Sequence, residues 1–130
     1  MNDEGFREFQ LEDGWEVLVG KTARDNDRLS LKVGKPNDFW FHVAGMPGSH
    51  VVARHPTTPT SMPREVKRVA AGLAAFYSKA RQGGKVTVHW TSCKHVSKRP
   101  GAPAGQVLLK KFEKITVEPI DPSSHFGGSP

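Results

Sequence analysis

The feature that most constrains the fold is one amphipathic helical pattern in a chain whose other apolar segments mostly alternate. Between about residues 62 and 82, apolar side chains recur at helical spacing, at Val66, Val69, Ala70, Leu73, Ala74, Tyr77 and Ala80. These positions form one face of a helix, which needs a partner surface. Ser61 is a suitable N-cap, Pro63 fits the first turn, and Gly83 ends the helix after Arg81.

The N-terminal part predicts a hairpin followed by a short helix. Alternating apolar residues surround Asp13-Gly14, a dipeptide typical of tight hairpin turns, which places strands near 7–12 and 15–20. Thr22, followed three residues later by Asp25, resembles a capping box and favours a short helix that ends near residue 34, although the alternation of Leu29, Leu31 and Val33 also fits a strand.

The remaining alternating segments predict further strands. DFWFHVA and SHVVARH form a hairpin joined by a type II turn at Pro47-Gly48, KVTVHWT is a single strand, and QVLLKKFEKITVEP is a final hairpin with lysines at its turn. We expect an α+β fold: a mainly antiparallel sheet built from hairpins, one long amphipathic helix on one face, and a short helix. Residues 1–119 are predicted to form a single domain, and residues 120–130 a disordered tail.

The composition indicates a soluble cytoplasmic protein. Cys93 is the single cysteine, which excludes an intrachain disulfide and a cysteine-clustered zinc site and is typical of a reducing compartment. No apolar run approaches the roughly 18 residues that a membrane span needs. The first ten residues, MNDEGFREFQ, are too polar and acidic for a secretory signal.

The net charge of +6 is concentrated in one part of the chain. Residues 64–100 carry nine basic side chains and only Glu65, whereas residues 1–63 carry seven basic and nine acidic ones and residues 101–130 carry three of each. Such a block favours a polyanionic partner, because lysine and arginine release the counterions condensed on phosphates.

Aromatic and imidazole groups interleave with this basic block, which favours RNA with unpaired bases over duplex DNA. The alternative is a solvated basic surface that aids solubility. The helix contributes cations beside its apolar face, and a proline-rich connection follows; the set is Arg64, Lys67, Arg68, Lys79, Arg81, Lys85, Lys94, Lys98 and Arg99, with His89, Trp90 and His95 between them.

Three residue groups are candidates for catalysis. Asp38, His42 and His50 cluster around the Pro47 turn and would suit a metal-dependent hydrolase, although zinc needs at least three protein ligands. On a strand, Asp38, Trp40 and His42 share one face, which is unusual for a core and suits a ligand surface. The alternative is a histidine that is hydrogen-bonded within a half-buried face. Ser49 and His50 are neighbours that point to opposite faces, which is poor geometry for a nucleophile and its base.

A cysteine-dependent activity would use Cys93 with His95, which lie on one face of an extended segment. No carboxylate lies nearby in the sequence to orient the imidazole, so this interpretation is disfavoured. No Walker-type loop or dinucleotide motif occurs. We therefore expect no catalysis, no cofactor and no metal.

Three sequence blocks carry a family resemblance: VGKTARDNDRLSLKV, NDFWFHVAGMPGSHVVAR and AAFYSKARQGGKVTVHWTSCKHVSKRPGAPAGQV. In this order they resemble the NFACT-R domain, the RNA-binding domain of fibronectin-binding-protein-A-like ribosome quality-control factors. The resemblance covers about residues 15–119. The matching positions are Lys21, Asn26, Asp38, Trp40, His42, Pro47, Gly48, Ser49, His50, Ser78, Lys79, Lys94, Val96, Lys98 and Gly101.

The resemblance implies an α+β domain that contacts tRNA or rRNA on the large ribosomal subunit. In longer members it accompanies an NFACT domain, a helix-hairpin-helix segment and a coiled coil, which support tailing of stalled chains. Those parts are not found in this sequence, which is similar to the stand-alone bacterial type. The expected RNA-binding residues are Lys21, Trp40, His42, Ser49, His50, Arg68, Lys79, Arg81, Lys94, His95, Lys98 and Arg99. A module that docks on a ribosomal protein is the remaining alternative.

Overall fold

The structure is a computed structural model that describes residues 5–126. Its strands are β1 (Phe6–Gln10), β2 (Glu16–Gly20), β3 (Phe39–Val43), β4 (Val51–Arg54), β5 (Val86–Ser92), β6 (Val96–Ser97), β7 (Leu108–Leu109) and β8 (Glu113–Val117). Its α-helices are α1 (Ala23–Arg28), α2 (Arg64–Phe76) and α3 (Pro122–His125).

Six of the strands form one antiparallel sheet, in the order β1-β2-β4-β3-β5-β8, while β6 and β7 form a separate pair. The hairpin predicted around Asp13-Gly14 is confirmed, and the left-handed backbone that its turn requires falls on both residues, with φ of 60° and 88°. The pairing of β3 with β4 is confirmed as well. The fold is therefore the α+β arrangement that the alternating pattern predicts.

The short helix begins where its capping residue predicts. The Thr22 hydroxyl accepts a hydrogen bond from the backbone N–H of Asp25 at 3.1 Å. This contact satisfies one of the amide groups that the first helical turn leaves without an intrahelical partner. The helix then widens into a π-helical turn over Leu29–Val33, and Gly34 leaves it in an extended conformation.

The long helix is shorter than its periodic pattern predicts. It covers Arg64–Phe76 rather than about 62–82, and no side chain caps its N-terminus. The chain leaves the helix at Tyr77, and Ser78 then forms a β-bridge with Gly48. The backbone amide of Ser49 also donates to the Tyr77 carbonyl at 2.9 Å. Pairing with the β3–β4 connection therefore replaces the last helical turns.

The predicted type II turn differs from the structure. A type II turn at Pro47-Gly48 needs a positive φ at Gly48, but the positive φ of 74° occurs at Gly45. Gly48 is instead extended towards Ser78.

The final hairpin predicted over residues 106–119 is wrong. β7 pairs with β6, whereas β8 pairs with β5 at the edge of the main sheet. The lysine-rich segment between β7 and β8 therefore connects two different sheets.

The sheet has an apolar core on each face. Phe41 and its odd-numbered neighbours on β3 pack with the apolar side of α2, whereas Trp40 packs on the opposite face with Leu18 and Leu29. Each such fully buried side chain contributes about 1.5–3 kcal/mol of hydrophobic stabilisation. The expectation that Asp38, Trp40 and His42 form an open ligand face is therefore wrong for two of the three, because Asp38 and Trp40 are each 2% exposed.

Residues 120–126, the first part of the segment predicted as a tail, pack against the rest of the domain. The Ile120 side chain is buried against α2, and its backbone amide donates to the Gly72 carbonyl at 3.0 Å. α3 follows with its N-terminus capped by Asp121, and the Phe126 ring stacks on Phe9 with centroids 5.1 Å apart. The last four residues of the predicted tail lie outside the described residues.

Candidate nucleic-acid interface

A cleft opens on the face of the sheet opposite α2. Its floor is formed by His42 and His89, which pair across β3 and β5, and by the His50 ring, which lies 5.2 Å from the His42 ring. Lys114 pairs with His89 from β8 and lies at the edge of this floor. We call this site the histidine cleft; it measures about 590 Å³ and is lined by Trp40, His42, Met46, Pro47, His50, His89, Ala104, Gly105, Gln106, Val107 and Leu109, together with Ala23, Asn26 and Gly48.

A chain of hydrogen bonds fixes the inner part of the floor. The Trp40 indole N–H donates to the Ser30 hydroxyl at 2.8 Å, and that hydroxyl lies 2.7 Å from Nδ1 of His50. Nε2 of His50 lies 3.1 Å from the Gly105 carbonyl, which can only accept. Nε2 therefore carries the proton, and Nδ1 accepts from Ser30. Every polar group in this series has a partner, so Trp40 and His50 are held as rigid structural elements.

Burial keeps the imidazoles of the cleft neutral. Desolvation, together with the neighbouring His42, lowers the pKa of His50 to about 4. Desolvation also lowers the pKa of His42, against the effect of a hydrogen bond to the Gly48 backbone. The pKa of His89 is lowered by desolvation and by the charge of Lys114. The floor of the cleft is thus uncharged at neutral pH.

A partly buried ion pair between Lys98 and Asp27 holds the wall of the cleft formed by residues 104–107. Nζ of Lys98 lies 3.0 Å from a carboxylate oxygen of Asp27 and donates to the carbonyls of Pro103 and Gln106 at 2.6 and 2.9 Å. The second Asp27 oxygen accepts from the Gly105 amide at 3.0 Å. An ammonium group has three donors, and here all three are engaged within the domain.

A group of exposed lysines surrounds the start of β8. Lys94, Lys110 and Lys111 lie around His95, whose pKa is lowered by desolvation and then by these three charges. Phe112 is 43% exposed, and its ring centroid lies 4.3 Å from that of His89. We call this group the lysine surface; it comprises Lys94, His95, Lys110, Lys111, Phe112 and Lys114. It adjoins the histidine cleft through the contact between Phe112 and His89.

A second cleft borders the lysine surface on its other side. It measures about 390 Å³, and its lining includes Trp90, His95, Lys111 and Phe112. Nζ of Lys67, on α2, lies 4.5 Å from the centroid of the Trp90 ring, within the range of a cation–π contact. Cationic and aromatic groups therefore alternate across this edge of the sheet, a combination typical of surfaces that bind single-stranded nucleic acid.

Comparison with known proteins identifies the fold family. The model of the NFACT protein RNA binding domain matches residues 5–111. The chain belongs to this family. The NFACT-R domain described here is similar to the Rqc2 homolog RqcH of Streptococcus suis, with 38% identity over 81% of this chain and 18% of that protein.

Two further similarities agree with this assignment. The Rqc2 homolog RqcH of Bacillus subtilis is 36% identical over 85% of this chain and 19% of that protein. The solved C-terminal structure of the fibronectin/fibrinogen-binding protein from Streptococcus suis superposes with a TM-score of 0.82 at 34% identity, covering 93% of this chain and 47% of that one. The chain spans about a fifth of the length of the RqcH proteins that it matches.

The structure does not bring the twelve expected RNA-binding residues of the NFACT-R domain to one surface. Lys94 and His95 lie on the lysine surface. Lys79 lies beside the histidine cleft, because its backbone amide donates to the Pro47 carbonyl, and Lys21 is exposed just before α1. Arg99 is exposed at the loop that forms the cleft wall.

The other expected residues have internal roles or lie elsewhere. Trp40 and His50 are each only 2% exposed, and Lys98 is engaged with Asp27. Ser49 is half-buried, and His42 forms part of the cleft floor. Arg68, on α2, forms a two-point ion pair with Glu65. Arg81, beyond the end of α2, lies over the Phe76 ring and donates to the backbone carbonyl of Phe76.

The residues considered for catalysis are not arranged for it. Asp38 lies four residues before His42 on an extended strand, roughly 13 Å away, and its carboxylate accepts from the Lys35 amide at 2.8 Å. Between residues 5 and 126, no three His, Cys, Asp or Glu side chains group closely enough to hold a metal ion. Cys93 is buried, and desolvation together with the Asp38 charge raises the pKa of its thiol to about 12.

No helix in the described part of the chain has the length and apolar character needed to cross a membrane.

Proposed function

We propose that this NFACT-R domain is a non-catalytic module that binds structured RNA, either tRNA or rRNA. The domain would contact this RNA on the large ribosomal subunit during translation quality control. Membership of the RNA-binding family supports the ligand class. The similarity to the Rqc2 homologs RqcH supports the quality-control setting.

The lysine surface is the observation that carries the proposal. Lys94, Lys110, Lys111 and Lys114 are exposed, and none of the four forms an ion pair with another residue in the range 5–126. Unpaired lysines bring their full charge to a phosphate backbone, whereas Lys98 and Arg68 have theirs offset by a carboxylate. Phosphate contacts of this kind supply affinity and position the protein, and the neighbouring aromatic groups contact bases.

Reversing the charge of Lys110 and Lys111 tests this assignment. The variant Lys110→Glu with Lys111→Glu should bind tRNA at least about ten-fold more weakly at 0.1 M salt, and the slope of log affinity against log salt should fall by about 2. Fluorescence anisotropy of labelled tRNA over a salt series measures both quantities. The side chains of both lysines are exposed, so the fold should be unaffected.

The matched control carries the same change in net charge at two other places. Lys32 and Lys85 are exposed, and Lys85 lies beyond the opposite end of β5. The variant Lys32→Glu with Lys85→Glu should retain affinity for tRNA within about three-fold. Its new charges would act on the bound RNA only over a long range, where salt screens them. Equal losses in the two variants would contradict the assignment of the lysine surface, because they would show that net charge alone determines binding.

A further inference from the structure

The histidine cleft has the shape of a preformed site for a planar group. Its volume of about 590 Å³ lies in the range of about 300–1,000 Å³ typical of small-ligand sites. Pro47 and Met46 form one wall, and Gly105 with Val107 form the other. The floor and the second wall are held by the contacts of His50 and Lys98 described above, so the cleft does not depend on a ligand for its shape.

The chemistry of the floor favours an uncharged aromatic ring. The imidazoles of His42 and His89 are partly exposed at the floor, and the Phe112 ring packs against that of His89. Planar side chains of this kind stack on nucleobases with little dependence on sequence. A phosphate or a carboxylate would find no cation on the floor itself, because the three histidines are neutral at pH 7.

Two exposed lysines lie at the rim of the cleft. Lys114 stands opposite His89 across the β5–β8 pair, and Lys79 lies beside Pro47 at the other wall. Both side chains are exposed. A neutral planar floor with lysines at its margins complements a nucleotide, whose uncharged ring is joined to an anionic backbone. A base inside a duplex is stacked between its neighbours and does not reach such a cleft.

We propose that the histidine cleft binds one unpaired nucleobase of the RNA, which stacks on His42 and His89 while Lys79 and Lys114 contact the adjoining phosphates. This inference rests on the RNA-binding function proposed above and adds a requirement for an unpaired nucleotide. The lysine surface would then bind the neighbouring paired region.

Three RNAs that share one duplex sequence test the proposal. The first is a blunt duplex, the second carries a four-nucleotide 3′ overhang, and the third carries the same overhang with its bases replaced by abasic sites. The wild-type protein should bind the overhang RNA roughly 5- to 150-fold more tightly than the abasic form, as expected for one stacked base. A 2-aminopurine placed in the overhang should lose fluorescence on binding.

A cleft-filling variant supplies the structural control. Ala104 is exposed and lines the cleft, so Ala104→Trp should remove the preference for the overhang and leave the affinity for the blunt duplex unchanged. Gln82→Trp places the same side chain on an exposed turn away from the cleft and should behave as wild type. His89→Ala should reduce the preference without adding bulk.

The outcomes separate this inference from the proposed function. Equal binding of the base and abasic overhangs by the wild-type protein, with the blunt duplex still bound, would overturn the nucleobase site and leave RNA binding intact. The cleft would then be open to a non-nucleotide partner such as a peptide. Failure to bind any of the three RNAs would overturn both proposals.

Discussion

The ammonium group of Lys98 lies 3.0 Å from the Asp27 carboxylate and joins two parts of the chain that are 71 positions apart. The same carboxylate accepts a hydrogen bond from the Gly105 amide. The same ammonium donates to the carbonyls of Pro103 and Gln106, which lie in the loop around Gly105. One ion pair therefore fixes the loop at residues 99–107 to α1. Because this loop forms a wall of the histidine cleft, the pair shapes the site without contributing to its exposed charge.

Replacing Lys98 should destabilise the domain more than replacing Lys94. Lys98→Met keeps the aliphatic stem but leaves one oxygen of the partly buried Asp27 and two carbonyls without their donor, which should lower the free energy of unfolding by about 1–3 kcal/mol. Lys94→Met changes an exposed side chain and should remain within about 0.5 kcal/mol. Urea unfolding measures both values. Faster amide hydrogen exchange over residues 99–107 in Lys98→Met alone would confirm that the loop has been released.

The stability of the domain should fall as the pH drops from about 6.5 to about 4. The unfolded chain binds a proton at His50 near its ordinary pKa of 6.5, whereas the folded state does so only near 4. Above pH 6.5 both states are neutral and His50 adds no pH dependence; below 6.5 the unfolded state binds the extra proton and is favoured. The full difference is roughly 3 kcal/mol for His50 alone.

The variant His50→Gln isolates this contribution. Glutamine can accept from Ser30 and donate to Gly105 without titrating, so the free energy of unfolding should change less between pH 6.5 and 4, although its value at pH 7 falls. His125→Gln removes an exposed histidine on α3 and should keep the wild-type slope. Chemical unfolding at a series of pH values gives these slopes. A slope in His50→Gln equal to that of wild type would contradict the assignment of the low pKa to His50.

Sequence patterns predicted the fold correctly where contacts between residues close in sequence determine the local structure. The Asp13-Gly14 turn and the Thr22 cap depend on residues within a few positions of each other, and both appear as expected. The end of α2 depends on Gly48, 30 positions before Ser78, and no periodic signal shows that contact. The apolar stripe continues to Ala80 because Tyr77 and Ala80 still pack on the core after the helix has ended.

The candidate site was harder to predict for the same reason. A histidine or a lysine in a motif can bind a ligand or hold the fold, and the sequence does not distinguish the two uses. His50 and Lys98 proved to be held by Ser30 and Asp27, residues far from them in the chain. The lysines of the KKFEK segment were missed as a surface because residues 101–130 have no net charge, which hid the local concentration.

The thiol of Cys93 should be unreactive in the folded protein. Burial and the charge of Asp38 raise its pKa to about 12, so the nucleophilic thiolate is scarce at pH 8. A disulfide reagent such as 5,5′-dithiobis(2-nitrobenzoate) should label the native protein slowly and release one equivalent of chromophore in 8 M urea. Ser97→Cys adds a thiol at an exposed position and should give one fast equivalent in the native state. Rapid labelling of native wild-type protein would show that the β5–β6 segment opens readily.

Removing the Ile120 side chain should destabilise the domain although it lies beyond the last strand. Ile120 is 8% exposed, and its terminal methyl approaches Gly72 on α2 so closely that a Cβ there would lie 2.5 Å away. Ile120→Ala should therefore cost about 2–4 kcal/mol, as for other large-to-small core changes. Leu108→Ala, at a side chain that is 48% exposed, should change stability by less than about 1 kcal/mol. If the two variants unfolded at the same urea concentration, the packing of residues 120–126 on α2 would not contribute to stability in solution.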